Sequence, residues 1–216
     1  MRPTILSGLL ATLMITPTTA VAQWAVGILG GAGQDHGWQG RTGWMGALVE
    51  RRLSDSSSFV LRLTGTVFSP MERTYGELIV LDDGSTAVEA VMNEVIGRAG
   101  ASLAVRWPFL TVPCDGGYHR GAYLMAGAGW DHAVVRQDGF AVQEEVGQER
   151  VLVRQRRWTQ DRFLAQASVG AQYGTRWGSP FVEVGLHVGA MPYDMDRWGI
   201  TQAGFQLGYR YVFVRR

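Results

Sequence analysis

The sequence predicts an all-β chain closed into an eight-stranded antiparallel up-and-down barrel that spans a membrane. Three observations carry this expectation. Eight segments alternate large apolar residues with polar or very small ones. The connections between them alternate short and long. Aromatic residues collect where those segments end.

The last segment alternates most clearly. From Phe205 every odd position to Phe213 is large and apolar or aromatic, while the even positions are Gln206, Gly208, Arg210 and Val212. Period two with a bulky face fits a strand that shows one side to lipid. Phe59–Phe68, Phe163–Tyr173 and Val182–Val188 repeat the pattern. Weaker segments lie at Trp24–Gly30, Trp44–Leu53, within Val91–Trp107 and within Tyr118–Ala133. Eight is an even number, as a closed antiparallel barrel with both termini on one side requires.

With the N-terminus on the periplasmic side, residues 32–43, 70–90, 134–160 and 190–201 become external loops. Residues 54–58, 108–117 and 175–180 become periplasmic turns, and these are the shorter set. Asp82-Asp83-Gly84 reads as a hairpin turn that lets strands three and four extend as a ribbon, and Gln143–Arg157 as the site of a second protruding hairpin. Trp24, Trp107, Tyr173, Phe181, Tyr211 and Phe213 fall at the periplasmic strand ends, and Trp44, Phe68 and Trp130 at the external ends. Two aromatic belts are expected from that distribution.

The opening residues point to export. Arg2 precedes an apolar run from Ile5 to Ile15. Pro17 breaks the run, and Ala20-Val21-Ala22 supplies the small residues of a signal-peptidase site before Gln23. Residues 1–22 therefore read as a cleaved signal peptide, and 23–216 as one barrel domain. No later segment approaches the roughly 20 apolar residues of a membrane helix. Composition adds exclusions. The 216 residues carry a net charge of +1, which gives no general electrostatic case for nucleic acid. All 20 basic residues are arginine. The single cysteine, Cys114, excludes a disulfide-stapled fold within one chain and reads as an unpaired turn residue.

Gln206-x-Gly208-x-x-Tyr211-x-Phe213 has the polar-x-Gly-x-x-hydrophobic-x-hydrophobic form of a last-strand signal. With the signal peptide and the eight segments, it makes the chain resemble the small eight-stranded outer-membrane barrels of the OmpA/OmpX-like and opacity-type porin families. The resemblance covers nearly all of residues 23–216. It implies a Gram-negative outer membrane, outer-membrane lipids as surroundings, periplasmic chaperones and the barrel-assembly machinery as partners in biogenesis, and Gln206, Gly208, Tyr211 and Phe213 as the assembly signal. The chain departs from the family pattern in continuing past Phe213 with Val214-Arg215-Arg216.

On the polar faces, Glu50, Arg62, Arg98, Gln166, Glu183, His187, Gln206 and Arg210 are assigned to the lumen. An eight-stranded barrel is just wide enough for side chains to fill, so a plug of Glu–Arg pairs is expected rather than an open pore. A small channel is the alternative. A lipid-modifying enzyme would draw on Ser168, His187 and Glu183, although no spacing among them is diagnostic. Asp35-His36 and Asp131-His132 at the external rims could ligate a metal, but read as solvated loop residues. Neither a cofactor nor a catalytic residue is assigned. A soluble secreted barrel around an apolar ligand would turn the Phe205, Leu207, Tyr209 face inward and Arg210 outward. The expected role is structural, or recognition of an external ligand through 70–90 and 134–160, by a monomer.

Overall fold

The computed structural model describes residues 24–36, 40–54, 56–68, 73–80, 86–114, 118–142, 150–175, 177–191 and 194–213. They form nine strands: β1 (Trp24–Asp35), β2 (Gly40–Ser54), β3 (Ser57–Phe68), β4 (Arg73–Val80), β5 (Thr86–Cys114), β6 (Tyr118–Val142), β7 (Arg150–Tyr173), β8 (Ser179–Met191) and β9 (Asp194–Phe213). Each consecutive barrel pair is antiparallel, β1 also pairs with β9, and β3 pairs with β5. Eight strands thus close a ring, which removes every edge at membrane depth. β4 is not a ninth stave. It continues the course of β3 along β5, with Leu78 opposite Val88 and Val80 opposite Thr86. This is the ribbon expected of strands three and four, although Asp82-Asp83-Gly84 lies outside the described residues. Residues 1–22, expected as a signal peptide, lie outside them too.

Alternation decides which way each side chain faces. Ile28, Leu63, Leu124, Phe163, Val184, Phe205 and Leu207 all point outward and are exposed, whereas Arg210 is buried inside. That is the arrangement of a transmembrane barrel, and the reverse of a soluble barrel built around an apolar ligand. No described helix is long and apolar enough to cross a membrane, and this fold crosses with strands.

The strands run farther than the apolar alternation does. A membrane strand needs about 9–11 residues, whereas β5 has 29, β6 has 25 and β7 has 24. Much of 134–160, expected as a loop, is therefore paired strand. β6 and β7 stay in register from Arg120–Tyr173 to Val142–Arg150, with one bulge near Gly139. Pro108–Cys114 is likewise strand rather than turn. Backbone pairing does not need an apolar face once the ribbon has left lipid, so the sequence period fades while the ladder continues.

Two aromatics leave the belts. Phe181 is buried in the lumen with Leu29, Leu48, Val60, Ala104 and Met125, and Trp44 packs against the same cluster. Position along a strand sets a residue's height; parity sets its face. Trp44 shares parity with Glu50, and Phe181 with Glu183. Trp107, Tyr173, Tyr211 and Phe213 at one end and Trp130 at the other do face outward. A variant retaining only Trp130 should be quenched by brominated acyl chains, and one retaining only Trp44 should not. Equal quenching of the two would contradict the inward placement.

Candidate functional site

Among the described residues, charged side chains converge in the lumen, and they do so in two layers. Call the end that carries Trp24 and Phe213 the lower end. In the lower layer, Arg210 on β9 donates to Glu50 on β2 at 2.6 Å, and Arg106 on β5 donates to the same carboxylate. Ser58 adds a third donor at 2.6 Å. Gln172 accepts from both Arg106 and Arg210, at 2.6 and 2.9 Å. The Arg210 guanidinium also lies 4.5 Å from the centroid of the Phe181 ring, on whose face a cation is favoured.

Next above, Glu183 on β8 takes both its oxygens onto Arg62 of β3, at 2.7 and 2.8 Å. Tyr123 donates to it at 2.6 Å, and Gln206 donates as well. Gly170 makes room for this arrangement. A Cβ there would lie 2.6 Å from Tyr123 Cζ and 2.7 Å from its hydroxyl. Gly170→Ala should therefore push Tyr123 off Glu183 and cost about 1–3 kcal/mol of stability. Equilibrium unfolding of the variant in lipid vesicles would check this.

The upper layer joins four more charges. Arg98 on β5 donates to Asp131 of β6 at 2.6 Å and also to Asp35 of β1. Arg162 on β7 donates to the second oxygen of Asp131 at 2.5 Å. His187 and Gln202 pair at 3.1 Å beside them. Asp35 and Asp131 are thus not solvated loop residues. Both are buried inside the ring, because β1 and β6 continue past the apolar zone and keep their inward parity. Their histidine neighbours part from them. His36 is exposed in the turn after β1, and His132 faces outward and meets Asp161 at 2.9 Å. The described residues contain no group of three or more potential metal ligands. Above the charges sits an apolar cluster of Val95, Ala133, Val135 and Trp158. Beyond it Arg136 pairs with Glu94 at 2.5 Å and Asp138 at 3.1 Å.

The structure therefore places Glu50, Arg62, Arg98, Glu183, Gln206 and Arg210 in one or other ion-paired layer, His187 beside the upper one, and Gln166 buried on the same inner face. Sequence reasoning missed Asp35, Arg106, Tyr123, Asp131 and Arg162. Their signal was parity alone: 106 matches 98, and 123 matches 131. Ser168, His187 and Glu183 do not form a relay. Glu183 is committed to Arg62, Tyr123 and Gln206, His187 Nδ1 meets Gln202, and the Ser168 hydroxyl has no partner among the described residues. Nucleophilic catalysis needs those groups linked.

In the stretch expected to carry the assembly signal, Gln206 holds Glu183, and Gly208 leaves space for the Phe181 ring, which would lie 2.3 Å from a Cβ at that position. Tyr211 and Phe213 stack edge to face, outside the ring. The side chain of Cys114 lies outside the described residues.

No protein-family model matches the sequence, and no curated protein matches it. Solved structures are similar in fold. The N-terminal β-barrel domain of Pseudomonas aeruginosa OprF is 13% identical over 89% of this chain and 99% of that one, with a TM-score of 0.45. Neisserial surface protein A is 8% identical over 90% of this chain and 98% of that one, with a TM-score of 0.44. The attachment invasion locus protein Ail of Yersinia pestis, solved with the heparin analogue sucrose octasulfate, is 10% identical over 89% and 97%, with a TM-score of 0.42. The eight-stranded ring itself rests on the strand pairings of this chain.

Proposed function

We propose that this chain is a monomeric outer-membrane barrel with a plugged lumen, whose role is structural or recognition by the ribbons above the membrane. The observation that carries the reading is the stacked ion-pair layers. Guanidiniums from β3, β5, β7 and β9 meet carboxylates from β1, β2, β6 and β8 across the interior. An ion on that path would have to break pairs that no longer have water to replace them. In planar bilayers the refolded protein should give no steady conductance. A sustained single-channel current would sink the plug and favour the channel.

Two further parts of the reading follow from the surface. The outward apolar residues and aromatic ends fit outer-membrane lipid, which heat-modifiable migration in the outer-membrane fraction would test. Recovery as a soluble periplasmic species would overturn it. The upper ribbons carry exposed Arg156 and Arg157 on β7, whose pairing with β8 extends only from Leu164 to Gln172. An external ligand would meet this basic strand. Gln206, Gly208, Tyr211 and Phe213 would be read by the barrel-assembly machinery, after delivery by periplasmic chaperones, through strand pairing at the β9 edge. Tyr211→Ala with Phe213→Ala should slow folding in the presence of that machinery more than it slows unassisted folding into vesicles. Equal slowing would remove the signal.

A further inference from the structure

The lumen is not filled uniformly. Between the Arg62–Glu183 pair and the Arg98–Asp131 pair lies a cavity of about 100 Å³. Its wall is largely apolar, with Trp44, Met125 and Leu164 among its residues, and is interrupted by a few polar groups, among them Arg62, Gln166 and Ser168. Three residues of this wall carry a buried polar atom with no hydrogen-bond partner among the described residues: Arg62 Nε, Gln166 Nε2 and Ser168 Oγ. All three are able to donate. A buried donor left without an acceptor is costly, so such groups are normally met by something.

The charge count points the same way. The two layers contain five guanidiniums, Arg62, Arg98, Arg106, Arg162 and Arg210, against four carboxylates, Asp35, Glu50, Asp131 and Glu183. Arginine does not give up its proton in a protein, so the excess cannot be removed by deprotonation. The excess belongs to the lower part, where Arg106 and Arg210 share Glu50 while Arg62 pairs with Glu183. Arg62 is the member of that set which borders the cavity. The one carboxylate in the cavity wall, Asp131, already has an oxygen on each of Arg98 and Arg162.

We infer that the cavity is a binding site for a small monovalent anion of the halide class, held by Arg62, Gln166 and Ser168. Such an ion supplies acceptor capacity to the orphaned donors and offsets the net positive charge of the lumen in one step. Water is the competing occupant, since a cavity of this volume with several polar groups in its wall has room for ordered water. Water satisfies the donors but leaves the charge.

The test uses the refolded full barrel and bromide. Crystals soaked in sodium bromide should show an anomalous peak in the cavity within hydrogen-bond distance of Arg62 Nε and Ser168 Oγ. The heat-modifiable gel transition should also lie several degrees higher in sodium chloride than in equimolar sodium gluconate, whose anion is too large for the cavity. Gln166→Leu with Ser168→Ala keeps every ion pair and should abolish that difference. Water density without an anomalous peak would overturn the site. So would equal transitions in the two salts, or a chloride effect that survives in the double variant. None of these readouts depends on whether the lumen conducts.

Discussion

Glu183→Ala is expected to lower the unfolding free energy of the barrel by about 3–5 kcal/mol, read from urea titrations in lipid vesicles. The carboxylate takes two bonds from Arg62 and one each from Tyr123 and Gln206. Deleting it strands a guanidinium and two neutral donors in a space that bulk water does not reach, and the stranded charge dominates the loss. The pair itself contributes much less than the variant will suggest. Removing both charges, as in Arg62→Met with Glu183→Leu, should recover most of the stability, because an apolar pair of similar volume often substitutes for a buried ion pair at little cost. Glu183→Gln should fall between, since an amide accepts from Arg62 but carries no charge. If the single and double variants lose the same amount, the two residues are not coupled and the layer does not act as a unit.

These pairs also do something for the fold that their net energy does not express. Three of them connect strands that are not neighbours in the ring: Arg62 to Glu183, Arg210 to Glu50, Arg98 to Asp35. A slip of one residue in any strand would turn its inner face to lipid. For β9 that would place Arg210 and Gln206 in hydrocarbon and Tyr209 and Leu207 in the lumen. The ion pairs therefore act against wrong registers more strongly than they act for the right one. The same logic suits a barrel whose inner wall has glycines beside its large side chains. Gly170 and Gly208 permit Tyr123 and Phe181 to lie flat against the wall, and they would permit other packings if the charges did not choose among them.

The barrel was legible in the sequence wherever both faces were constrained. Between Phe205 and Phe213 lipid demands bulk on one side and the narrow lumen demands polarity or smallness on the other, so the period is plain. Where one constraint lapses, the reading failed. Above the membrane the outward face of β6 and β7 carries His132, Arg136 and Asp161. Without an apolar face to mark them, those strand extensions looked like loop, and Asp35 and Asp131 looked solvated. Trp44 and Phe181 failed for the opposite reason. They are apolar residues on the lumen face, where they pack with Leu29, Leu48, Val60, Ala104 and Met125. Parity counted from Glu50 and Glu183 would have put both inside. Which arginine meets which carboxylate was beyond the sequence, because shear between distant strands sets it.

Leu207→Arg is the substitution that most directly separates a membrane barrel from a soluble one. Leu207 is 57% exposed on the outer face of β9. It stands six residues before Phe213, roughly 20 Å along a strand, or about 14 Å along the membrane normal at a tilt near 45°. An outer-membrane barrel has an apolar band about 25 Å tall, so the residue lies near the midplane. Arginine there should cost about 2–4 kcal/mol in vesicles. On a surface facing water, the same change stays within about 0.5 kcal/mol. Ile28→Arg, 70% exposed on neighbouring β1, should behave alike. Gln34→Arg is already polar, outward and near the upper end of β1, and should be close to neutral. A graded loss, large at Leu207 and Ile28 and absent at Gln34, is the signature of hydrocarbon around the barrel. A flat response would mean that the exposed leucines, phenylalanines and valines face something other than lipid, and the ion-paired lumen would then be the core of a soluble protein.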